Sequence, residues 1–170
     1  MTRLLLFAFF LFSLHAFGQR ESPRPLVMDQ LFMDLEVSPD TSSGIVTGKV
    51  KIAIKGIQDE TDSLWLDGIK MEVKELSLDG HKTRFKVYPD GIHIKIRKKA
   101  LAKDEVDTLR VEYSCQPRKG IYFTGWGTGE PDARRQIWTQ GQGIDHRHWI
   151  PHVDAQNDKM IIRLHISFDS

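Results

Sequence analysis

Apolar side chains recur at every second position over most of the chain, which is the pattern of half-buried β-strands. In residues 31–37 every odd-numbered position is apolar, and in residues 46–54 every even-numbered position is apolar or glycine. Pro39-Asp40 and residues 41–44, which lie between the two segments, are turn formers. The two segments therefore predict a long antiparallel pair of strands.

Shorter segments with the same alternation follow this pair. Residues 63–67 predict a strand, and a one-residue shift of the apolar phase between Val73 and Leu76 predicts a bulge or a change of sheet near Glu75. The other predicted strands are residues 85–87 and 92–96, joined as a hairpin by Pro89-Asp90-Gly91, and residues 109–113, 121–123, 136–139 and 160–168.

Many short strands with closely spaced turns are typical of an all-β fold. Only residues 98–106 have a pattern compatible with a helical turn, and the glycine-rich residues 125–133 are interpreted as a loop. The pattern predicts a β-sandwich or open barrel of mainly antiparallel strands, without internal repeats.

The N-terminus has the pattern of a cleaved export signal. Arg3 precedes an unbroken apolar run over residues 4–12, and Ala16-Phe17-Gly18 offers small residues for signal peptidase before Gln19. A membrane-spanning helix needs roughly 20 apolar residues, and this run is shorter. The sequence thus predicts a signal peptide over residues 1–18, a lead-in over 19–25 and a β domain over 26–170, exported to the periplasm or the outside and not membrane-bound after cleavage.

Size and charge narrow the class of protein further. The remaining chain of about 150 residues is the size of one domain that can bury a core of its own. Charged residues make up 28% of the chain, but the formal net charge is only +1. This balance gives no broad basic surface for nucleic acid or anionic lipid.

Two groups of residues invite chemical hypotheses that the pattern does not favour. Cys115 is the only cysteine, and its place in a strand pattern favours a buried packing residue over a nucleophile. His146, His148 and His152 suggest a metal site, since the first two would share one face of a strand. However, the His-Trp-Ile-Pro run is better interpreted as a strand that enters the core, with histidines that pack or face solvent.

The aromatic residues leave a binding role open. Trp65, Trp126, Trp138 and Trp149 could form a platform for sugar rings. Because at least two of them lie within predicted strands, we expect them to serve mainly as large core residues with a polar edge.

Gln140 and Gln142 are two residues apart, so in an extended segment both carboxamides face the same way. A carboxamide oxygen can accept a hydrogen bond from an ammonium group, and its nitrogen can donate to a peptide carbonyl. Such a pair suits the binding of a peptide end. An ordinary surface loop is the alternative interpretation of two glutamines among glycines.

The order of several short motifs resembles the end of the N-terminal domain of the zinc aminopeptidases related to aminopeptidase N and leukotriene hydrolase. Residues 31–37 and 48–54 also resemble the first two strands of that domain, so the resemblance spans essentially the whole mature chain. The motifs are Tyr113 to Pro117, Lys119-Gly120-Ile121-Tyr122-Phe123, Trp138-Thr139-Gln140-Gly141-Gln142, Arg147, Trp149-Ile150-Pro151, Asp154 and Lys159.

The resemblance implies a saddle-shaped β-sandwich that packs against a following thermolysin-like catalytic domain. In that family the zinc, the glutamate general base and the exopeptidase strand lie on the second domain, and this chain has no His-Glu-x-x-His motif. No metal and no catalytic residue is therefore expected in this segment. By resemblance Gln140 and Gln142 would contact the amino end and the backbone of a peptide substrate, while Arg147, Pro151, Asp154 and Lys159 would be structural.

Two departures from the family pattern bear on the expected site. Relatives often carry an acidic residue at the position of Gln142, and a carboxylate binds an ammonium more strongly than an amide does. The usual Pro-Cys-x-Asp is here Pro151-His152-Val153-Asp154, and the proline after the aspartate is absent from Ala155-Gln156-Asn157. We expect a different grip on the substrate and a different turn after Asp154.

The leading hypothesis is the N-terminal substrate-positioning domain of an exported zinc-dependent aminopeptidase, inactive by itself. The alternative is a non-catalytic β-sandwich module that binds peptide ends or glycans. A domain that only docks a partner is the third possibility, and it predicts a large exposed apolar face.

Overall fold

The computed structural model of the chain describes residues 24–96, 101–126 and 132–168. Within these residues the chain forms strands and one short 3-10 helix, in the order β1 (Met28–Pro39), β2 (Val46–Gly56), β3 (Ser63–Asp67), β4 (Glu72–Leu78), β5 (His81–Lys82), β6 (Arg84–Tyr88), β7 (Gly91–Lys95), β8 (Val106–Cys115), β9 (Ile121–Thr124), β10 (Gln136–Thr139), the 3-10 helix (Asp145–His148) and β11 (Ile161–Ile166). No helix in the described part of the chain has the length and apolar character needed to cross a membrane.

The strands form three sheets. The largest has six strands in the order β11-β1-β2-β8-β4-β5, the second has the order β3-β7-β6, and β10 pairs with β9 in the third. All pairings between named strands are antiparallel except that of β11 with β1, which is parallel. The prediction of an all-β sandwich of mainly antiparallel strands is confirmed.

One hydrophobic core joins the two larger sheets. The alternation of β1 and β2 buries one row of side chains from each, and β3 and β7 contribute buried Leu64, Leu66, Ile92 and Ile94 to the same cluster. Trp149 and Ile150 close the cluster from the segment after the 3-10 helix. The core thus attaches the segment that follows the 3-10 helix to both sheets.

Most predicted strands are confirmed, and some details differ. The bulge predicted near Glu75 is present as a register shift between Val73 and Glu75 in the pairing of β4 with β8. Residues 101–106 are not helical, while the remainder of the predicted helical turn, residues 98–100, lies outside the described residues. The predicted signal peptide, most of the lead-in and part of the glycine-rich loop also lie outside them.

Candidate functional site

Gln140 and Gln142 lie in the turn that leaves β10, and we name residues 140–142 the Gln-x-Gln loop. Both side chains are exposed, and Nε2 of Gln140 lies 3.5 Å from Oε1 of Gln142. The loop is not a strand, so the two amides meet because the chain bends and not because it is extended. Since this contact engages one nitrogen and one oxygen, Oε1 of Gln140 and Nε2 of Gln142 can bond a ligand.

The middle residue of the loop rests on an imidazole. A Cβ atom on Gly141 would lie 1.8 Å from Nε2 and 2.2 Å from Cδ2 of His146, which no side chain tolerates. The ring of His146 therefore occupies the space that a side chain at position 141 would need. Glycine at this position is a requirement of close packing.

The start of the loop is held by the segment before β9. The amide nitrogen of Gln140 donates a 3.0 Å hydrogen bond to the carbonyl oxygen of Gly120. Gly120 has a φ of +80°, and a Cβ atom there would lie 2.3 Å from the carbonyl oxygen of Asp145 and 2.8 Å from Cδ1 of Trp149. The loop, the residues before β9 and the 3-10 helix are thus in direct backbone contact.

A charged cluster fixes the 3-10 helix on the end of β3. The backbone N–H of Arg147 and that of Asp154 donate 3.0 Å bonds to Asp154 Oδ2 and Asp67 Oδ2, respectively. The guanidinium of Arg147 donates a 3.0 Å bond to the carbonyl oxygen of Asp154 and lies 3.5 Å from Asp67 Oδ2. Arg147 and Asp154 therefore act as structural residues in this chain.

The electrostatics of Asp154 agree with that role. Burial by itself raises the pKa of this carboxyl group, but the hydrogen bond and charge of His152, together with Arg147, outweigh burial and hold the pKa below its usual value. Asp154 is then ionised in the folded protein at neutral pH. Pro151 is buried, whereas Lys159 is exposed.

A fully buried carboxamide holds the segment that follows. Gln30 lies on β1 at a register shift in the pairing with β2, and its Oε1 accepts a 2.9 Å bond from the backbone N–H of Val153. Its Nε2 donates to the carbonyl oxygen of Val153 at 2.8 Å and to Asp158 Oδ2 at 2.9 Å. The bulge on β1 thus supplies the hydrogen bonds of a loop 123 residues away.

An aromatic pair lies beside the loop. Tyr122 on β9 and Trp138 on β10 stack with ring centroids 4.2 Å apart, and Trp138 remains 42% exposed. Trp149 is buried in the core, and Trp65 and Trp126 are half-buried. Packing therefore accounts for Trp149 as expected, whereas Trp138 is a strand residue that presents its ring to solvent.

The histidines do not form the strand that the sequence suggested. His146 and His148 lie on the 3-10 helix, and Arg147 between them contacts Asp67 at the end of β3 and Asp154. Among the residues that the structure describes, no group of three or more His, Cys, Asp and Glu is arranged to hold a metal ion. Burial is the main cause that lowers the pKa of both His146 and His148, so both rings are neutral at pH 7.

Cys115 is a buried residue at the end of β8. Burial raises the pKa of its thiol to about 12, so the thiolate needed for nucleophilic chemistry is not formed at physiological pH. The thiol packs in the core next to Val46, its partner across the sheet.

An open groove of about 730 Å³ lies elsewhere, on the polar face of the six-stranded sheet between β1, β2, β8 and β4. Its lining includes both acidic and basic side chains. The Gln-x-Gln loop does not line this groove.

Several residues that shape the loop carry no local sequence signal. Asp67 accepts a hydrogen bond from the backbone N–H of Asp154, 87 positions away, and nothing in the sequence around Asp67 indicates this contact. Gly141 and His146 are five residues apart, a spacing without meaning in a strand or a helix. Only the sequence Gln-Gly-Gln, with its central glycine, could have indicated close packing beneath the loop.

The model of the peptidase M1 N-terminal domain matches residues 30–170. No curated protein sequence matches the chain.

Similar solved structures share the fold at low sequence identity. The M1 zinc metallopeptidase from Deinococcus radiodurans has a TM-score of 0.69 and 15% identity, over 85% of this chain and 33% of that chain. A mutant of that enzyme bound to a Tyr-Ser-Ala substrate has a TM-score of 0.67 and 16% identity, over 83% of this chain and 32% of that chain. Native leukotriene A4 hydrolase from Saccharomyces cerevisiae has a TM-score of 0.68 and 18% identity, over 83% of this chain and 23% of that chain. This chain therefore spans about a third of the bacterial chains and about a quarter of the yeast chain.

Proposed function

The chain belongs to the peptidase M1 N-terminal domain family, and from this premise we propose that it is the substrate-positioning domain of an exported zinc-dependent aminopeptidase. In this proposal the Gln-x-Gln loop receives the amino terminus of a peptide. The chain supplies orientation, and a following thermolysin-like domain supplies the chemistry.

The observation that carries the proposal is the paired amides on a rigidly supported loop. Gln140 and Gln142 lie 3.5 Å apart and are exposed, while Gly141 between them is packed on His146. An ammonium group needs acceptors, and a peptide carbonyl needs a donor. Oε1 of Gln140 and Nε2 of Gln142 provide one of each, and the packing of Gly141 on His146 restricts the backbone that carries them.

Gln142 also influences how the amino terminus is bound. An uncharged amide gives a hydrogen bond to an ammonium that is weaker than the bond from a carboxylate. Selectivity for a free amino terminus would then depend mainly on carboxylates of the catalytic domain. This chain would set the register of the substrate rather than neutralise its charge.

Zinc is assigned to the following domain. Among the described residues no group of three or more His, Cys, Asp and Glu is arranged to hold a metal ion, and the proposal places the zinc ligands in the following domain. No step of the zinc chemistry is assigned to these residues.

An exposed apolar surface on β11 favours the part of the proposal in which a following domain packs against this chain. Ile162, Leu164 and Ile166 pair with Met33, Leu35 and Val37 of β1, so they continue the core-facing side of the sheet. The β1 residues are buried, but Ile162, Leu164 and Ile166 are 46–55% exposed. A contiguous exposed apolar face of this kind is typical of an interaction surface, and we assign it to contact with the following domain.

The sequence of residues 1–18 supports export, since it combines a basic start, an apolar run and a small-residue cleavage site. Export places the mature domain in the periplasm or outside the cell. N-terminal sequencing of the mature protein would test the cleavage before Gln19.

The test of the proposed function uses the whole polypeptide that carries this chain. Gln140→Ala and Gln142→Ala should each lower kcat/KM for aminoacyl anilides on the order of 10-fold, because each removes a hydrogen bond to the substrate. Gln116→Ala is the matched control, since Gln116 is an exposed glutamine that bonds the carbonyl oxygen of Ser43. If both loop variants keep kcat/KM within about two-fold of the parent, the loop does not position substrate.

The alternative function is a non-catalytic module for peptide ends or glycans. The stacked Tyr122 and Trp138 favour it, because an exposed indole beside polar groups is a common platform for sugars. Titration with oligosaccharides and with free and N-acetylated peptides separates the two functions. Saturable sugar binding that is lost in Trp138→Ala would favour the glycan module.

A further inference from the structure

The ring of His146 is held in one neutral tautomer. The indole Nε1–H of Trp149 donates a 3.2 Å hydrogen bond to Nδ1 of His146. An indole nitrogen can only donate, so Nδ1 must carry a lone pair. The neutral ring then has its proton on Nε2, on the side of the ring that faces Gly141.

The ring of His146 packs directly beneath the Gln-x-Gln loop. The site of a Cβ atom on Gly141 lies 1.8 Å from Nε2 and within 2.3 Å of Cε1, so the backbone of Gly141 sits directly against the ring edge. Trp149, which orients the ring, is itself fixed because it is 4% exposed and touches Gly120. The position of the loop is thus coupled to the orientation of one imidazole.

A second proton on His146 would disturb both contacts. It would have to occupy Nδ1, where it would face the indole N–H of Trp149 and break their hydrogen bond. The resulting imidazolium would also lie directly beneath a loop proposed to receive an ammonium group, and like charges at short range repel. Both effects act against binding of a peptide amino terminus.

The surroundings of His146 determine when that proton binds. Burial lowers the pKa of the ring below its usual 6.5 and is the largest cause; the charge of His152 acts in the same direction, while Asp154 and Asp145 raise the pKa. The two carboxylates are in turn paired, Asp154 with Arg147 and Asp145 with Lys119 at 3.7 Å. The neutral ring therefore predominates above pH 6.5, and it is lost as the pH falls through the lowered pKa of the folded protein.

We infer that His146 is the positioning residue of the Gln-x-Gln loop, and that only its neutral form, locked by Trp149, holds Gln140 and Gln142 in the geometry that binds a peptide amino terminus. This inference rests on the proposed function for the nature of the ligand. The support of the loop by the ring can be measured without any ligand. The affinity of the loop for a peptide amino terminus therefore decreases at acidic pH.

The first test is a pH titration of the full chain, labelled with ¹⁵N, by NMR spectroscopy. We expect the Nε2–H tautomer of His146 at pH 7.5, and the amide shift of Gly141 should titrate with the same midpoint as the ring, below 6.5. An Nδ1–H tautomer, or a Gly141 shift that does not follow the ring, would overturn the inference. This measurement needs no variant, so it remains decisive if a variant fails to fold.

The second test compares His146→Phe with His148→Phe. Phenylalanine at 146 fills the space under Gly141 but cannot bind a proton, so the pH dependence of the Gly141 shift should disappear. His148 lies on the same 3-10 helix and also has a pKa lowered by burial, so it is the matched control and its variant should keep the dependence. Persistence of the Gly141 titration in His146→Phe would overturn the inference.

Binding of a short free-amine peptide provides the functional readout. Between pH 7.5 and pH 5 its affinity for the whole polypeptide that carries this chain should fall on the order of five-fold, and the fall should be absent in His146→Phe. An equal fall in both proteins would overturn the role of His146. A peptide that binds at no pH would instead overturn the proposed function, and the ligand-free titration distinguishes that outcome.

Discussion

The hydroxyl group of Tyr113 donates a 2.7 Å hydrogen bond to the backbone carbonyl oxygen of Trp149, across the core from β8 to the segment that follows the 3-10 helix. The ring lies over Gly48 on its way to this carbonyl group. A Cβ atom on Gly48 would be only 2.6 Å from Cζ of the Tyr113 ring. Burial raises the pKa of Tyr113 well above its usual value, so the phenol remains a donor. This hydrogen bond connects β8 of the large sheet to Trp149, which in turn bonds His146 beneath the Gln-x-Gln loop.

Tyr113→Phe tests the contribution of this hydrogen bond to stability. The variant keeps the ring but leaves the carbonyl oxygen of Trp149 without its donor in a buried position, so we expect a loss of about 1 to 3 kcal/mol in the free energy of unfolding. Urea denaturation measures the loss. Tyr122→Phe, on the half-buried stack beside the loop, is the control and should stay within about 0.5 kcal/mol.

A loss in Tyr113→Phe no larger than that in Tyr122→Phe would show that water replaces the phenol at the carbonyl of Trp149. In that case the hydrogen bond between Tyr113 and Trp149 would not contribute to the free energy of unfolding.

Gln30→Ala should be more damaging than a typical polar substitution. It removes the partner of both the N–H and the carbonyl oxygen of Val153, and it leaves a cavity at a residue with no exposed surface. We expect a loss of about 2 to 5 kcal/mol in the free energy of unfolding, measured by urea denaturation.

Gln156→Ala is the matched control for Gln30→Ala, because Gln156 is an exposed glutamine in the turn that Gln30 holds. Its free energy of unfolding should change by less than about 0.5 kcal/mol. Equal effects of the two substitutions would contradict the role assigned to the buried carboxamide.

The sequence predicts the antiparallel part of the fold because its signals are local. Alternation and turn residues locate β1, β2, β3 and the β6–β7 hairpin, and the apolar phase shift locates the bulge beside Glu75. The parallel pairing of β11 with β1 has no such signal. Its partners, such as Leu35 and Leu164, are separated by most of the chain, and only the whole fold brings them together.

The candidate site was predicted only as a pair of glutamines. The interpretation of His148-Trp149-Ile150-Pro151 as a strand was wrong, since His148 ends the 3-10 helix, in which Arg147 contacts both Asp67 and Asp154. Alternation cannot reveal such a contact, which is made by residues from different elements. The sequence therefore indicates the polar groups of the loop but not the glycine and imidazole that support it.

The turn between β1 and β2 provides a prediction about pH. Hydrogen bonds from the side chains of Ser43 and Ser42 lower the pKa of Asp40 to about 2. Because the folded value lies below the unfolded one, the contribution of Asp40 to stability is present above its ordinary pKa of 3.8 and is lost as the pH falls through about 2. An NMR titration of the carboxyl carbon should show this midpoint.

Ser43→Ala should raise the pKa of Asp40 towards its usual 3.8, because the hydrogen bond from Ser43 Oγ is the largest cause of the lowered pKa. Ser63→Ala removes a similar bond to Asp62 at the start of β3 and should leave the pKa of Asp40 unchanged. A midpoint near 3.8 in the parent chain would contradict the hydrogen bonding of this turn.

The uncovered face of β11 gives the last prediction. Ile162, Leu164 and Ile166 extend the core side of the large sheet without cover among the described residues, so the chain alone should self-associate through them. Leu164→Lys places a charge in the centre of that face and should shift the chain towards monomer in sedimentation velocity runs over a range of concentrations. Ile57→Lys is the control, since Ile57 is an apolar residue of similar exposure outside the strands. Equal association in both variants would show that β11 is not the contact, whereas a parent chain that is monomeric at every concentration would show that its apolar face is tolerated in water.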